Sequence, residues 1–318
     1  MGGAAPPIPG CFRLVAVEET GSTNDDAMAA AREGALDGTL IWARRQTKGR
    51  GRRGRRWISP DGNLHVSFVV RPGVPSARAG EVAFVAALAA ADACARLAPK
   101  ADIRCKWPND VLADGRKAAG LLIESSISQD RIDWLVIGVG INLAAHPAEV
   151  EFPATDLAHH RGAPVAVEEG LSALAKAFEA RYKAWLAQGF AAVRSAWLER
   201  AAGLGGPIRV RLETGEVHGT FAGLDEEGAL RLSLADGSTL TVEPLVRTKR
   251  RLGLKHFDPC TILLNNDLSA GIPDVLKDLH EQYLLPPLHA GWAVRRKSQH
   301  FEAYEEVAKK FEIGRAHV

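Results

Sequence analysis

The chain has 318 residues, of which 46% are hydrophobic and 25% charged, with a formal net charge of +2 at pH 7. This is the composition of an ordinary soluble globular chain, long enough for two or three domains. It excludes a nucleic-acid binder that is basic over its whole surface, and it excludes a membrane helix, because the longest apolar run, Val82–Ala91, stops at Asp92.

Met1–Gly10 carries prolines and no positive segment ahead of an apolar run, so it does not read as a signal peptide. Cys11, Cys94, Cys105 and Cys260 are scattered without C-x-x-C spacing, which argues against a zinc site or disulfide framework and points to the cytoplasm. Arg13–Val17 predicts a strand. Glu19–Asp26 follows, then the alanine-rich Ala27–Glu33, where Ser22, Thr23 and Asn24 read by default as N-cap residues of a helix. Thr39–Ala43 predicts a strand into the next loop, and Asn63–Val70 one leaving it.

Between them, Gln46–Trp57 reads Q-T-K-G-R-G-R-R-G-R-R-W, with five arginines in seven positions. No folded core tolerates that density of cation. Guanidinium groups match phosphate oxygens, and glycines let backbone N–H groups approach the same anion. Two like charges about 4 Å apart repel by roughly 4 kcal/mol at a surface-like dielectric, so the empty loop is expected to be mobile and to order over a phosphate-bearing ligand. A nucleic-acid patch is the competing reading of the same arginines.

Gly80–Leu97 predicts a long buried helix. Arg104–Trp107, Val111–Ala113, Gly120–Ser125 and Trp134–Leu143 read as short strands in a mixed sheet with helices covering one face. Lys106-Trp107-Pro108-Asn109-Asp110 sets a cation, an amide and a carboxylate at a strand end, which suits a nucleotide and its magnesium, although a surface turn with an Asx cap also fits. Gly138–Leu143 (G-V-G-I-N-L) permits close backbone approach beside Asn142, or else marks a bulge. Val167–Leu186 and Phe190–Ala201 predict amphipathic helices, and Gly203–Pro207 a linker. Ile208–Leu212, Glu216–Leu224 and Ala229–Leu234 alternate at period two, as in a small β-barrel.

Ser22-Thr23-Asn24, Gln46 with G-R-G-R-R-G-R-R-W, K-W-P-N-D, Arg116-Lys117-Ala118-Ala119-Gly120 and G-V-G-I-N-L occur in an order and spacing that resembles the biotin protein ligases, over about residues 11–235. The resemblance implies an α/β (α+β) fold: a mixed sheet with helices as catalytic domain (11–203), then a small SH3-like β-barrel (206–237). It implies a two-step ligase that forms biotinoyl-5'-AMP from biotin and MgATP and passes biotin to a lysine of the biotin carboxyl carrier protein of acetyl-CoA carboxylase. By motif, Ser22, Thr23, Asn24, Gln46, Arg50, Gly51, Arg52 and Lys117 fall to biotin. Arg52, Arg53, Arg55, Trp57, Lys106, Asn109, Asp110 and Asn142 fall to ATP or the adenylate, with Trp57 stacked on adenine. Arg52, Lys106 and Lys117 take the catalytic roles, and Asp110 takes Mg²⁺. Two structural readings stay open beside these: Trp57 packing on the sheet and Ser22 as a helix cap. His65, where relatives often carry an aromatic residue, reads as structural. A lipoate or octanoate ligase is the alternative enzyme, set apart because those families lack the arginine loop. Without an N-terminal winged helix, the chain resembles the type that has no DNA-binding domain.

From about Ser238 the resemblance changes. Ile262–Pro273 and the following L-L-P-P-L-H-A-G-W-A-V-R-R-K-S resemble an internal stretch of glutamate-cysteine ligase, and Glu312–Val318 resembles one translated frame of a sequencing adapter. The expectation is a chimeric reading frame with a foreign segment over 238–318, a truncated barrel, and Leu240–Val246 standing in as an edge strand at best.

Overall fold

A computed structural model describes residues 6–148, 150, 152–212, 215–243 and 247–250, all within the unit Met1–Arg251. The main sheet contains β1 (Arg13–Thr20), β2 (Thr39–Gln46), β3 (Leu64–Val70), β4 (Ile103–Lys106), β5 (Asp110–Ala113), β6 (Arg116–Ser128) and β7 (Arg131–Ile141). Their spatial order is β1-β2-β3-β7-β6-β5-β4, with β1 and β2 parallel and the other neighbours in this path antiparallel.

The period-two alternation of these strands divides the sheet into two faces. On β3, Leu64, Val66, Phe68 and Val70 enter the larger core. Against that face lie α2 (Glu81–Leu97) and α4 (Val167–Gln188), joined by α5 (Phe190–Glu199). Because α2 sits between the sheet and other helices, it is apolar nearly all round. Asp92 on α2 binds both Arg181 of α4 (2.7 Å) and Arg200 beyond α5 (2.6 Å), which pins the helical layer.

The opposite face is not bare, contrary to the expectation of one covered face. There α1 (Thr23–Arg32) packs Ala27, Met28 and Ala31 on Ile41, Val69, Trp134 and Val136. The sequence pattern concealed this because α1 is short and, apart from Met28, offers the sheet only alanines. No bulge interrupts β7 at its glycines either: its register with β3 and β6 runs unbroken through Gly138 and Gly140. A short helix, α3 (Leu157–Arg161), follows the turn after β7, capped by Asp156 through the His159 N–H (2.8 Å).

The predicted β-rich segment is a four-stranded antiparallel meander of β8 (Pro207–Arg211), β9 (Glu216–Leu224), β10 (Leu230–Ser233) and β11 (Thr239–Val242), in the order β11-β10-β9-β8. Val210, Phe221, Leu224, Leu230 and Leu232 join the larger core, and Phe221 meets Trp197 of α5 edge to face. β11 supplies the outer strand expected from Leu240–Val246. A last strand, β12 (Arg247–Arg250), runs parallel to β6 in the main sheet. The rest of the predicted foreign segment, with Cys260 and the adapter-like end, lies outside the described residues. No helix among the described residues is long and apolar enough to cross a membrane.

His65 on β3 is 1% exposed, and neither ring nitrogen has a hydrogen-bond partner. Burial pushes its pKa down from 6.5 to about 4, so the folded state holds the neutral ring. As pH falls below 6.5 the unfolded chain takes up the proton first, and the native state loses stability until the folded pKa is reached. Chemical denaturation between pH 7 and pH 4 is expected to show a loss of about 3 kcal/mol that His65→Phe does not share.

Candidate active site

The site begins at the first turn of α1. Ser22 occupies the N-cap position, yet its side chain caps nothing. Thr23 and Asn24 are already helical, and all three side chains are buried. The default reading of Thr23 and Asn24 as caps therefore fails for a packing reason: they turn inward onto the sheet. Gly138 makes this possible, since a Cβ there would lie 2.0 Å from Asn24 Oδ1.

A chain of hydrogen bonds runs from these side chains. Gln46 Oε1 accepts from the Thr23 N–H (2.8 Å) and lies 3.1 Å from Thr23 Oγ1. Ser67 Oγ lies 2.8 Å from Thr23 Oγ1 and 2.7 Å from Asn24 Oδ1. Asn24 Nδ2 donates to Glu124 Oε2 (3.0 Å), and Gln46 Nε2 donates to Ser59 Oγ (3.1 Å), which ties the two ends of the arginine loop together.

The loop is a tight hairpin, in which the Gly51 N–H donates to the Arg55 carbonyl (2.7 Å) and the Trp57 N–H to the Gly49 carbonyl (2.9 Å). Its expected self-repulsion is partly met from within. Arg50 forks onto both Glu124 oxygens (3.2 and 2.7 Å) and reaches Asp25 (2.7 Å). Burial works against its charge, but the two carboxylates outweigh burial and raise its pKa above the ordinary value. Arg52 donates to Asn109 Oδ1 (3.2 Å).

Trp57 lies on Gly120 and Gly140, which face each other across β6 and β7; a Cβ at Gly140 would come within 2.5 Å of the indole. Trp57 thus packs on the sheet and at the same time lines the cavity. Lys117 Nζ sits 5.5 Å from the indole ring and pairs with Asp110 Oδ1 at 2.6 Å. Asn142 commits its amide to the Thr155 carbonyl (3.0 Å), tying the end of β7 to the segment before α3. Asn63 braces the same turn, its Oδ1 accepting from the N–H groups of Leu143, Ala144 and Ala145.

One cavity of about 1020 Å³ gathers Ser22, Thr23, Asn24, Gln46, Arg50, Gly51, Arg52, Arg55, Trp57, Lys106, Asn109, Asp110, Lys117 and Asn142. The side chain of Arg53 lies outside the described residues. Motif reading missed Glu124 and Ser67, polar residues within otherwise largely apolar stretches of β6 and β3. It also missed Phe152, whose ring has Lys106 Nζ at 4.0 Å and the Arg211 guanidinium at 5.6 Å, and the wall formed by Arg209 and Arg211 of β8. An arginine-lined cavity of this kind fits a small anionic ligand better than the convex basic patch of a nucleic-acid binder.

The chain matches the model of the Biotin/lipoate A/B protein ligase family over residues 21–142. It is 45% identical over 220 residues to the biotin-[acetyl-CoA-carboxylase] ligase of Paracoccus denitrificans, covering 67% of this chain and 91% of that one. The chain belongs to the biotin protein ligase family. The Mycobacterium tuberculosis enzyme of the same name is 36% identical over 239 residues, covering 73% of this chain and 87% of that one. Among solved structures, the biotin protein ligase of Aquifex aeolicus in complex with biotin and ATP superposes with a TM-score of 0.63 at 28% identity, covering 72% of this chain and 95% of that one. A second model, glutamate-cysteine ligase, matches residues 216–314, beginning within β9 and so earlier than the Ser238 boundary.

In this biotin ligase the glycine at 138 is a steric requirement. Gly138→Ala is expected to displace Asn24, to cost about 1–3 kcal/mol in denaturant unfolding, and to abolish biotin binding in calorimetry. Wild-type stability and affinity in that variant would contradict the packing argument.

Proposed function

We propose that the chain is an ATP-dependent biotin ligase that forms biotinoyl-5'-AMP and transfers biotin to a lysine of the biotin carboxyl carrier protein of acetyl-CoA carboxylase. The observation that carries this reading is one cavity with two chemically distinct halves. Thr23, Asn24 and Gln46, backed by the buried Ser67, form a neutral polar cage at its sheet end, while Arg52, Arg55, Lys106 and Lys117 stand round the remainder. A cyclic urea with an aliphatic carboxylate fits the first half and a nucleoside triphosphate the second.

In the first step a carboxylate oxygen of biotin attacks the α-phosphorus and pyrophosphate leaves. In the second the carrier lysine attacks the acyl carbon and AMP leaves. Neither step needs an enzyme nucleophile. The obstacle is charge, since two anions must meet and the transition state concentrates negative charge on the α-phosphate. Arg52, Lys106 and Lys117 are placed to stabilise it, and Asp110 holds Lys117 in position.

Ser22 and the Gly51 backbone complete the biotin end, with Arg50 in support. Trp57 walls it from the sheet side. For the nucleobase, the indole of Trp57, which lines the cavity, is the stacking platform, with Phe152 as a second aromatic face in the same cavity, Asn109 and Asn142 shaping the nucleotide end and Arg53 following Arg52 on the loop.

For Mg²⁺, the described residues hold no group of three or more His, Cys, Asp or Glu side chains that could bind a metal. Such a donor set fits an ion carried mainly by nucleotide phosphates and water, which takes one or two protein carboxylates. Asp110 would hold it, and when bound the ion offsets phosphate charge.

The meander β8–β11 is read as the SH3-like module, presenting Arg209 and Arg211 to the nucleotide. No peptide-ligase activity is assigned to the glutamate-cysteine ligase-like segment. The relatives from Bacillus subtilis and Escherichia coli are named bifunctional ligase/repressors; the present chain is read as a ligase without a DNA-binding role, acting in the cytoplasm.

Pyrophosphate release by the full chain with MgATP is expected only when biotin is present, followed by transfer to a carrier domain; biotin-independent release, or none, would overturn the assignment. Arg52→Ala is expected to form adenylate but to release it about 10- to 100-fold faster on a desalting column, because hydrogen bonds to a charged group are lost. Unchanged retention would contradict the role of this arginine in shielding the intermediate.

A further inference from the structure

Glu124 carries a charge in the middle of the β6 sheet strand at 5% exposure, and no motif accounts for it. Its two oxygens face two different parts of the site. Both receive the Arg50 fork from the loop, and Oε2 also receives the Asn24 amide from α1. We infer that Glu124 is a positioning residue that sets the hydrogen-bond polarity of the biotin cage and, through Arg50, locks the arginine loop to it. This inference rests on the biotin ligase reading for its ligand, but not for the lock itself.

The polarity follows from counting protons. A carboxylate only accepts, so Asn24 must turn its NH₂ to Glu124 and its carbonyl oxygen to Ser67. Ser67 then gives its single hydroxyl proton to Asn24 Oδ1, and the 2.8 Å contact between Ser67 and Thr23 must be donated by Thr23. Ser67 Oγ at 2.8 Å and Gln46 Oε1 at 3.1 Å compete for the one Thr23 hydroxyl proton; the nearer Ser67 takes it, and Gln46 Oε1 is served by the Thr23 N–H at 2.8 Å. The outcome is a cage whose Thr23 Oγ1 and Gln46 Oε1 retain lone pairs, which is the acceptor pattern that urea N–H groups require. The Glu124 carboxylate, together with the Leu122 carbonyl that also accepts from Asn24 Nδ2 (3.3 Å), sets that direction along the chain. The same carboxylate commits Arg50 internally, together with Asp25, so the first arginine of the loop acts as a strut and the later ones serve phosphate.

Glu124→Gln keeps the shape but cannot accept from both Arg50 and Asn24 with both of its polar atoms. The expected result is a rise of about 10- to 100-fold in the KM for biotin with the KM for ATP within about twofold, the size of losing hydrogen bonds to a charged group. Trypsin cleavage within the loop of the ligand-free chain should accelerate about tenfold or more. Arg50→Gln should reproduce both effects, and the double variant should be no worse than either single one. Equal rises in both KM values, unchanged trypsin cleavage, or additive effects of the two substitutions would each overturn the inference. Should Glu124→Gln fail to fold, Arg50→Lys, which keeps the charge but loses the fork, carries the same readouts with the same expected and contrary results. Trypsin cleavage needs no biotin, so it decides the lock even where a wild-type chain without biotin turnover has overturned the proposed function.

Discussion

The ion pair between Glu124 and Arg50 is the contact on which the site depends. An uncompensated carboxylate inside a sheet is strongly destabilising, and breaking a buried pair from one side costs several kcal/mol. The chain meets this constraint by bringing a loop cation down onto the strand and by turning the first turn of α1 inward. Because Asn24 shares the carboxylate with Arg50, helix, strand and loop are held by one group. Gly138 leaves the space for Asn24, and Gly120 and Gly140 leave the space for Trp57.

Charge is distributed by depth in the cavity. At the sheet end the lining groups are mainly neutral amides and hydroxyls, and the one cation there, Arg50, is committed to Glu124 and Asp25, which suits recognition of an uncharged ring. Towards the other side cations accumulate, and several are restrained: Arg52 by Asn109, Lys117 by Asp110, Lys106 and Arg211 by the face of Phe152. Restraint of this kind lowers the reorganisation needed when a triphosphate enters, which is the sense in which a site is preorganised.

Much of this architecture was legible in the sequence. The long apolar α2, the alternating strands and the helices α4 and α5 follow from periodicity, and the arginine loop and K-W-P-N-D mark the cationic half through their density of charge. Other features could not be read because they depend on tertiary neighbours. Ser22-Thr23-Asn24 looks like a capping sequence until Gly138 is seen to admit Asn24. Glu124 and Ser67 carry no motif around them, and only the pairing of β3, β7 and β6 brings them to one face. Phe152 lies outside any periodic element and gains meaning only from the two cations beside it. That Trp57 rests on two cross-strand glycines, Gly120 and Gly140, while lining the cavity is likewise visible only once the strands are paired.

On the proposed reading, the biotin half of the cavity is built before nucleotide arrives. Calorimetric titration of the full chain with biotin in the absence of ATP tests it most directly. A preformed cage predicts one binding event per chain with a dissociation constant near or below about 1 μM, the affinity corresponding to roughly −8 kcal/mol. Biotin binding that appears only after ATP is added would contradict it, and would mean that the nucleotide assembles the cage.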